Sequence, residues 1–128
     1  MIKVLQICVE GNTGSTGRLA EQLGNEVLSH KGSSYIAYGR FPRLSNAKTI
    51  KIGTKIEIVC HGMQTRIFDT HGVGLGSRWG TKKLVEKLKI IKPDLIHLHH
   101  LHGYYLNIEV LFNYLSKANL PVVWTFHD

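Results

Sequence analysis

Five histidines lie in two short segments of this 128-residue chain, and imidazole is the side chain that titrates nearest to neutral pH. His97, His99, His100 and His102 lie close together, and His127 lies near residue 128. Clustered imidazoles can bind zinc, but no cysteine or paired carboxylate accompanies these. We therefore expect no metal site. His97 is predicted to be a core histidine that is hydrogen-bonded to the backbone. His99 and the residues after it are predicted to line the end of the strand, where it opens to solvent.

A glycine-rich segment at residues 11–17 is the second candidate. Its glycines stand at positions 11, 14 and 17, after an apolar run and before a helical pattern. A strand that turns into a helix leaves amide N–H groups pointing outward at the positive end of the helix dipole, and glycine lets a phosphate or substrate approach the backbone closely. We interpret the segment as a ligand-binding loop; the alternative is a tight turn that binds nothing.

The elements that must position these residues follow from the apolar pattern. Strands are predicted at residues 2–9, 34–38, 48–52, 95–98 and 122–126, and helices at about 16–30, 55–68, 78–91 and 107–118. The alternation predicts an α/β fold, a Rossmann-like, open, doubly wound and mainly parallel sheet with helices on both faces. Ligands of such sheets bind beyond the carboxyl ends of the strands, where the strand order reverses. This rule selects four loops: residues 11–17, 39–40, 99–106 and 127–128.

Composition limits the class of protein. Apolar residues make up 43% of the chain and charged residues 20%, which is typical of a folded domain rather than a disordered one. No apolar run approaches the roughly 20 residues of a membrane span, and no signal-peptide pattern begins the chain. The two cysteines, Cys8 and Cys60, are expected to be buried reduced thiols. The expected location is cytoplasmic.

The net charge of +7 favours polyanionic partners in general. Four lysines fall on one side of the predicted helix at 78–91: Lys82, Lys83, Lys87 and Lys89. We interpret them as a solvated face, with docking on the acidic inner face of a membrane as the alternative. No nucleic-acid partner is expected, because aromatic residues do not interleave with these lysines.

Three segments resemble, in order and spacing, the N-terminal domain of family 4 glycosyltransferases, which are retaining, metal-independent enzymes of the GT-B fold. They are residues 2–17, the Pro-Asp-x-x-His-x-His segment at 93–99, and residues 121–128 with their Thr-x-His motif. The resemblance implies transfer of a sugar from a nucleotide-sugar co-substrate to a saccharide or lipid-linked acceptor, in polysaccharide or glycolipid synthesis. It implies no metal or other cofactor.

The resemblance also implies roles for the loop residues Gly14, Ser15, Thr16 and Gly17, which would meet the donor diphosphate or the acceptor. His127 matches the family's Thr-x-His histidine, which lies near the sugar and stabilises positive charge on its ring. The alternative is that His127 is an incidental histidine. His99 would border the acceptor pocket, and Tyr104 and Tyr105 are interpreted from their type as stacking surfaces for a sugar or a lipid-linked acceptor.

One departure from the family is large. Its members have a second Rossmann-like domain that binds most of the sugar nucleotide, and 128 residues leave no room for one. We therefore expect residues 1–128 to be the N-terminal, acceptor-side domain of a longer enzyme. As a fragment it should be inactive alone, and its unpaired apolar strand should favour pairing with a second copy.

Two rival interpretations stay open. Glycines 11, 14 and 17 also fit the Gly-x-x-Gly-x-x-Gly of extended short-chain dehydrogenases, and Arg40 is placed to meet the 2′-phosphate of NADP in such a reductase or epimerase. Against this, no tyrosine is followed by a lysine four residues later. The other rival is a non-enzymatic phosphoanion-binding module, which predicts tight nucleotide binding by this chain.

Overall fold

The computed structural model describes residues 1–68, 77–101 and 105–127, in which strands and helices alternate. The strands are β1 (Lys3–Glu10), β2 (Ser33–Arg40), β3 (Lys48–Lys51), β4 (Leu95–Leu98) and β5 (Val122–Trp124). The helices are α1 (Gly14–Ser29), α2 (Lys55–Phe68), α3 (Arg78–Ile91) and α4 (Ile108–Lys117). The predicted α/β class is confirmed.

The sheet has the strand order β3-β2-β1-β4-β5, and all four neighbouring pairs are parallel. The chain builds outward from β1 to β3 and then crosses back to place β4 on the other side of β1. The order therefore reverses between β1 and β4. The carboxyl ends of these two strands flank the crevice in which doubly wound sheets bind ligands.

Alternation along each strand divides its side chains between two cores. Leu5 and Ile7 of β1 belong to the larger core, together with leucines of α3 and α4. Cys8 points the other way and packs with Ala20 of α1 and Ile36 of β2. Because side chains two residues apart share a face, the position of each residue along β1 decides which core its side chain joins.

A hydrogen bond links helix α3, which leads into β4, to the start of helix α4, which leads into β5. Asn107 precedes α4, and its side chain accepts a hydrogen bond from the backbone N–H of Val110 at 3.0 Å, as a helix cap does. Its own backbone N–H donates to the Thr81 hydroxyl of α3 at 2.8 Å. This link fixes the start of α4 and therefore the path of the chain that leaves β4.

Tyr105 lies on that path and is buried against the end of β2. Its hydroxyl donates to the carbonyl of His100, and burial raises the pKa of its phenol well above the ordinary value. The ring covers Gly39: a Cβ on Gly39 would stand 2.7 Å from the Tyr105 Cδ2, and closer to its Cβ and Cγ. Only glycine allows this approach.

The structure differs from the sequence predictions at Cys60 and at the end of β5. Cys60 is exposed rather than buried, because it lies on the outer side of α2 while Ile58 packs on the core. Strand β5 ends at Trp124, two residues before its predicted end, and Phe126 is 74% exposed. The β5 strand lies at the edge of the described sheet, so its apolar side chains are partly exposed. Across the described ranges, no helix is both apolar and long enough to cross a bilayer.

Gly39→Ala is expected to destabilise the fold by about 1–3 kcal/mol, since a methyl group would overpack against a buried ring that has no room to move. Urea denaturation measures the effect. Ser116→Ala, at an exposed position of α4, is the control and should change stability by no more than about 0.5 kcal/mol. Equal stability of Gly39→Ala and the unaltered chain would contradict the packing described here.

Candidate functional site

Polar side chains from three strands meet on the α1 face of the sheet. The parallel register pairs Gln6 of β1 with His97 of β4. His99 follows on the same face two residues later. Thr125 and His127 lie just beyond β5, where Thr125 contacts His97 of β4 and His127 contacts His99, the residue that follows β4. The carboxyl edge of the sheet at β1, β4 and β5 therefore carries a polar row inside an otherwise apolar layer.

Hydrogen bonds join part of this row into what we term the Gln6–His99–His127 chain. The Gln6 side-chain N–H donates to the carbonyl of Ala20 in α1 at 2.7 Å. The Gln6 Oε1 is 2.8 Å from the His99 Nε2, and the His99 Nδ1 is 3.0 Å from the His127 Nε2. His99 is 1% exposed, and Gln6 and His127 provide the hydrogen-bond partners that its two buried ring nitrogens need.

His97 has a different partner from the one predicted. Its Nε2 is 2.8 Å from the hydroxyl oxygen of Thr125, a side chain, whereas the sequence suggested a bond to the backbone. The backbone of β4 pairs with β1 on one side and β5 on the other, so the ring finds its partner beyond β5 instead. The indole N–H of Trp124 donates to the His99 carbonyl at 3.1 Å and joins the same two segments.

Burial keeps two of these imidazoles neutral. Burial first, and then the nearby His97, His127 and His100, lower the pKa of His99 from 6.5 to about 3. The pKa of His97 is lowered by its own burial and then by His127. At pH 7 both rings are therefore uncharged. They act as hydrogen-bonding groups and not as cations.

A cleft of about 190 Å³ opens beside His127 at the carboxyl ends of β4 and β5. Its walls mix imidazole rings with apolar and aromatic groups: His99, His100, Leu101, Ile108, Trp124, Thr125, Phe126 and His127. Pockets for drug-sized ligands measure about 300–1,000 Å³, so this cleft suits one small ring rather than a whole nucleotide sugar.

The four predicted loop residues divide into two pairs. Gly14 and Ser15 are exposed, whereas Thr16 and Gly17 are buried. A Cβ on Gly17 would stand 2.9 Å from the Glu10 carbonyl oxygen, so this glycine lets α1 pack closely on the end of β1. Gly14 has a φ of 69° and opens the helix. Of the four, only Gly14 and Ser15 face the solvent, where a ligand would come.

The side chain of Glu10 changes the electrostatics of this loop. A Cβ on Gly14 would collide with the Glu10 Oε2, so the carboxylate lies against the N-terminus of α1. A negative charge is favourable at that end of a helix. The position in which a phosphate would be stabilised is therefore already next to an acid, which disfavours a second anion.

Tyr105 and the four predicted lysines lie outside this cleft's walls. Tyr105 is 2% exposed and covered by Gly39, so its ring has no open face for stacking on a sugar. Tyr104 lies outside the described residues. The four lysines of α3 are exposed on the outer side of that helix, where Lys89 forms an ion pair with Glu86 at 3.1 Å.

Sequence reasoning missed Gln6 and Thr125, which hold His99 and His97 respectively. Gln6 carried a signal, since it is an amide in the middle of an apolar strand. Thr125 carried none of its own. Within the described ranges, no group of three or more histidine, cysteine or acidic side chains is arranged to hold a metal ion.

A scan against protein-family models finds no match for this chain, and no curated protein sequence matches it significantly. The fold and the geometry of the site are therefore the observations on which a function can be argued.

The stability of the domain is expected to depend on His99 below neutral pH. The unfolded chain binds a proton at His99 with the ordinary pKa of 6.5, whereas the folded chain does so only near pH 3. Above about pH 6.5, His99 is neutral in both states and the free energy of unfolding does not depend on its protonation. As the pH falls from 6.5 toward 3, the free energy of unfolding decreases by about 1.4 kcal/mol for each pKa unit between the two states. His99→Gln should flatten this dependence.

Urea denaturation at several pH values between 4 and 7 measures the effect. His30→Gln, at the exposed end of α1, is the matched control for the loss of one histidine. If both variants change the pH dependence equally, burial of His99 is not its cause.

Proposed function

We propose that this domain is the acceptor-side half of a retaining glycosyltransferase, which moves a sugar from a nucleotide-sugar donor to a saccharide or lipid-linked acceptor. One observation carries the proposal: His127 lines a small cleft at the carboxyl edge of a doubly wound sheet, and a buried hydrogen-bonded chain holds its ring. Fixed polar groups in such a place suit a reaction that needs orientation more than exchange of protons.

Glycosyl transfer develops positive charge on the sugar ring as the bond to the leaving group breaks. A cation beside the ring would oppose that charge, while a lone pair or an oriented dipole would stabilise it. Burial keeps His99 and His97 uncharged, so these neighbours add no positive charge to the cleft at pH 7. In this proposal His127 contacts the sugar, and His99 acts by holding His127.

The loop after β1 supports a role in binding the acceptor. Carboxylates commonly accept hydrogen bonds from hydroxyl groups. The carboxylate of Glu10 lies beside Gly14, in the exposed pair Gly14 and Ser15. The same charge repels a diphosphate. We therefore assign this loop to the hydroxyl groups of the acceptor, and the donor diphosphate to contacts outside these residues.

One observation favours the rival NADP-dependent reductase. Arg40 ends β2 beside the glycine loop, and its buried Nε has no hydrogen-bond partner among the described residues. A 2′-phosphate would provide one. However, a dinucleotide would also place its pyrophosphate at the N-terminus of α1, where the Glu10 carboxylate lies. This rival and the phosphoanion-binding module share that difficulty.

Titration of the chain with UDP, NADPH and inorganic phosphate separates these functions. We expect weak binding of all three, and binding of phosphate about two- to five-fold tighter in Glu10→Gln, because one charge at a helix N-terminus is worth about 0.3–1 kcal/mol. Glu109→Gln, in the first turn of α4, is the matched control. Micromolar binding of NADPH or UDP by the unaltered chain would favour a rival instead.

The transferase activity is tested on the protein expressed from the complete reading frame, which includes any residues encoded after Asp128. With a panel of nucleotide sugars, we expect His127→Ala to lower kcat by about 10²–10³-fold, the loss typical of one group that stabilises transition-state charge. His30→Ala should keep full activity. Sugar transfer that is unaffected by His127→Ala would refute the assigned role, and the absence of any transfer across the panel would count against the function.

A further inference from the structure

Gln6 does not line the cleft but lies behind its wall, where it contacts His99. It is 1% exposed, and its neighbours Leu5 and Ile7 are part of the apolar core. A buried amide needs partners for its oxygen and its nitrogen, so a glutamine in this strand is expensive unless it meets a specific demand. The two partners of Gln6 are the Ala20 carbonyl and His99.

The orientation of the Gln6 amide follows from the first of these partners. A backbone carbonyl only accepts hydrogen bonds, so the group 2.7 Å from the Ala20 oxygen must be the amide nitrogen. The opposite orientation would set two oxygens against each other. The Gln6 oxygen is therefore the atom that faces His99.

The Gln6 oxygen in turn determines which nitrogens of His99 and His127 carry hydrogen. The Gln6 oxygen only accepts, so the His99 Nε2, 2.8 Å away, must carry a hydrogen. A neutral imidazole has one N–H, which leaves the His99 Nδ1 as a bare acceptor. The His127 Nε2, 3.0 Å from that atom, must in turn be a donor.

We propose that Gln6 is a positioning residue that fixes the tautomers of His99 and His127, so that His127 presents its Nδ1 to the cleft. This inference rests on the proposed function for its last step, the contact with a sugar. Within the described part of the chain, no hydrogen bond engages the His127 Nδ1. When His127 is neutral this atom is an acceptor, and it selects a substrate group that donates, such as a sugar hydroxyl.

The burial of His99 supports the assignment independently of the hydrogen bonds. An imidazolium would carry hydrogens on both nitrogens and would break the order of donors along the chain. Because burial holds the pKa of His99 near 3, the neutral ring is the form present at pH 7. The order of donors is then the one that the Gln6 amide sets.

Nuclear magnetic resonance of the 15N-labelled chain measures the tautomers directly, because protonated and bare imidazole nitrogens have well-separated shifts. Substitution of His99 and His127 one at a time assigns the signals. In the unaltered chain we expect His99 to carry its hydrogen on Nε2 and to have a bare Nδ1. A His99 with its hydrogen on Nδ1, or an even mixture of the two forms, would overturn the proposal.

Gln6→Leu removes the acceptor that holds the Nε2 hydrogen, and we expect His99 to shift toward the Nδ1–H form. Gln6→Met is the second variant and fills the same space with a flexible chain if the leucine variant does not fold. Gln22→Leu, at an exposed position of α1, is the matched control and should leave the tautomers unchanged. Folded Gln6 variants in which His99 stays fully Nε2–H would refute a positioning role.

This measurement needs no substrate, so it separates two kinds of failure. If His99 keeps the Nε2–H form and depends on Gln6 for it, the tautomer assignment stands even when no sugar transfer is found. If transfer is found and depends on His127 but His99 carries its hydrogen on Nδ1, the proposed function stands and the role of Gln6 is refuted.

Discussion

The parallel register of β1 against β4 is the constraint on which the site depends. It places Gln6 opposite His97 and commits both to the α1 face of the sheet. Because the side-chain period of a strand is two, a shift of one residue would turn the polar row into the larger apolar core and bring leucines to its place. The register that decides which face of the sheet is polar therefore also brings the histidines together.

Polar groups can be buried in this row because each meets a partner. His99 has a partner for both ring nitrogens, and His97 meets a hydroxyl. The low dielectric of the interior strengthens these bonds and at the same time penalises a charge on either ring. A rigid and uncharged support for His127 is the result, and it comes from backbone geometry and desolvation rather than from ion pairs.

The two sides of the crevice have different chemistry. On the β1 side, Glu10 brings a negative charge to the N-terminus of α1. On the β4 side, the cleft is small, partly apolar and bordered by imidazole rings. Tyr105 and Gly39 stabilise the chain that leaves β4, because the buried ring can pack only where β2 has no side chain. The shape of the cleft therefore depends on a contact made behind it.

The sequence by itself determined the alternation of strands and helices, since buried strands and amphipathic helices differ in apolar period. It also determined that residues 11–17 and His127 follow the carboxyl ends of strands, because that depends only on the order of elements along the chain. These features are local. The stripe of buried residues on α3 was predictable for the same reason.

Only the tertiary structure decided which side chains meet. The Thr125 partner of His97, the amide of Gln6 behind His99 and the carboxylate of Glu10 beside Gly14 all join residues on different elements. The register between strands and the packing of α1 fix those contacts, and neither is encoded in any short segment. The direction of a side chain across an interface is a property of two elements at once, so one-dimensional periodicity cannot supply it.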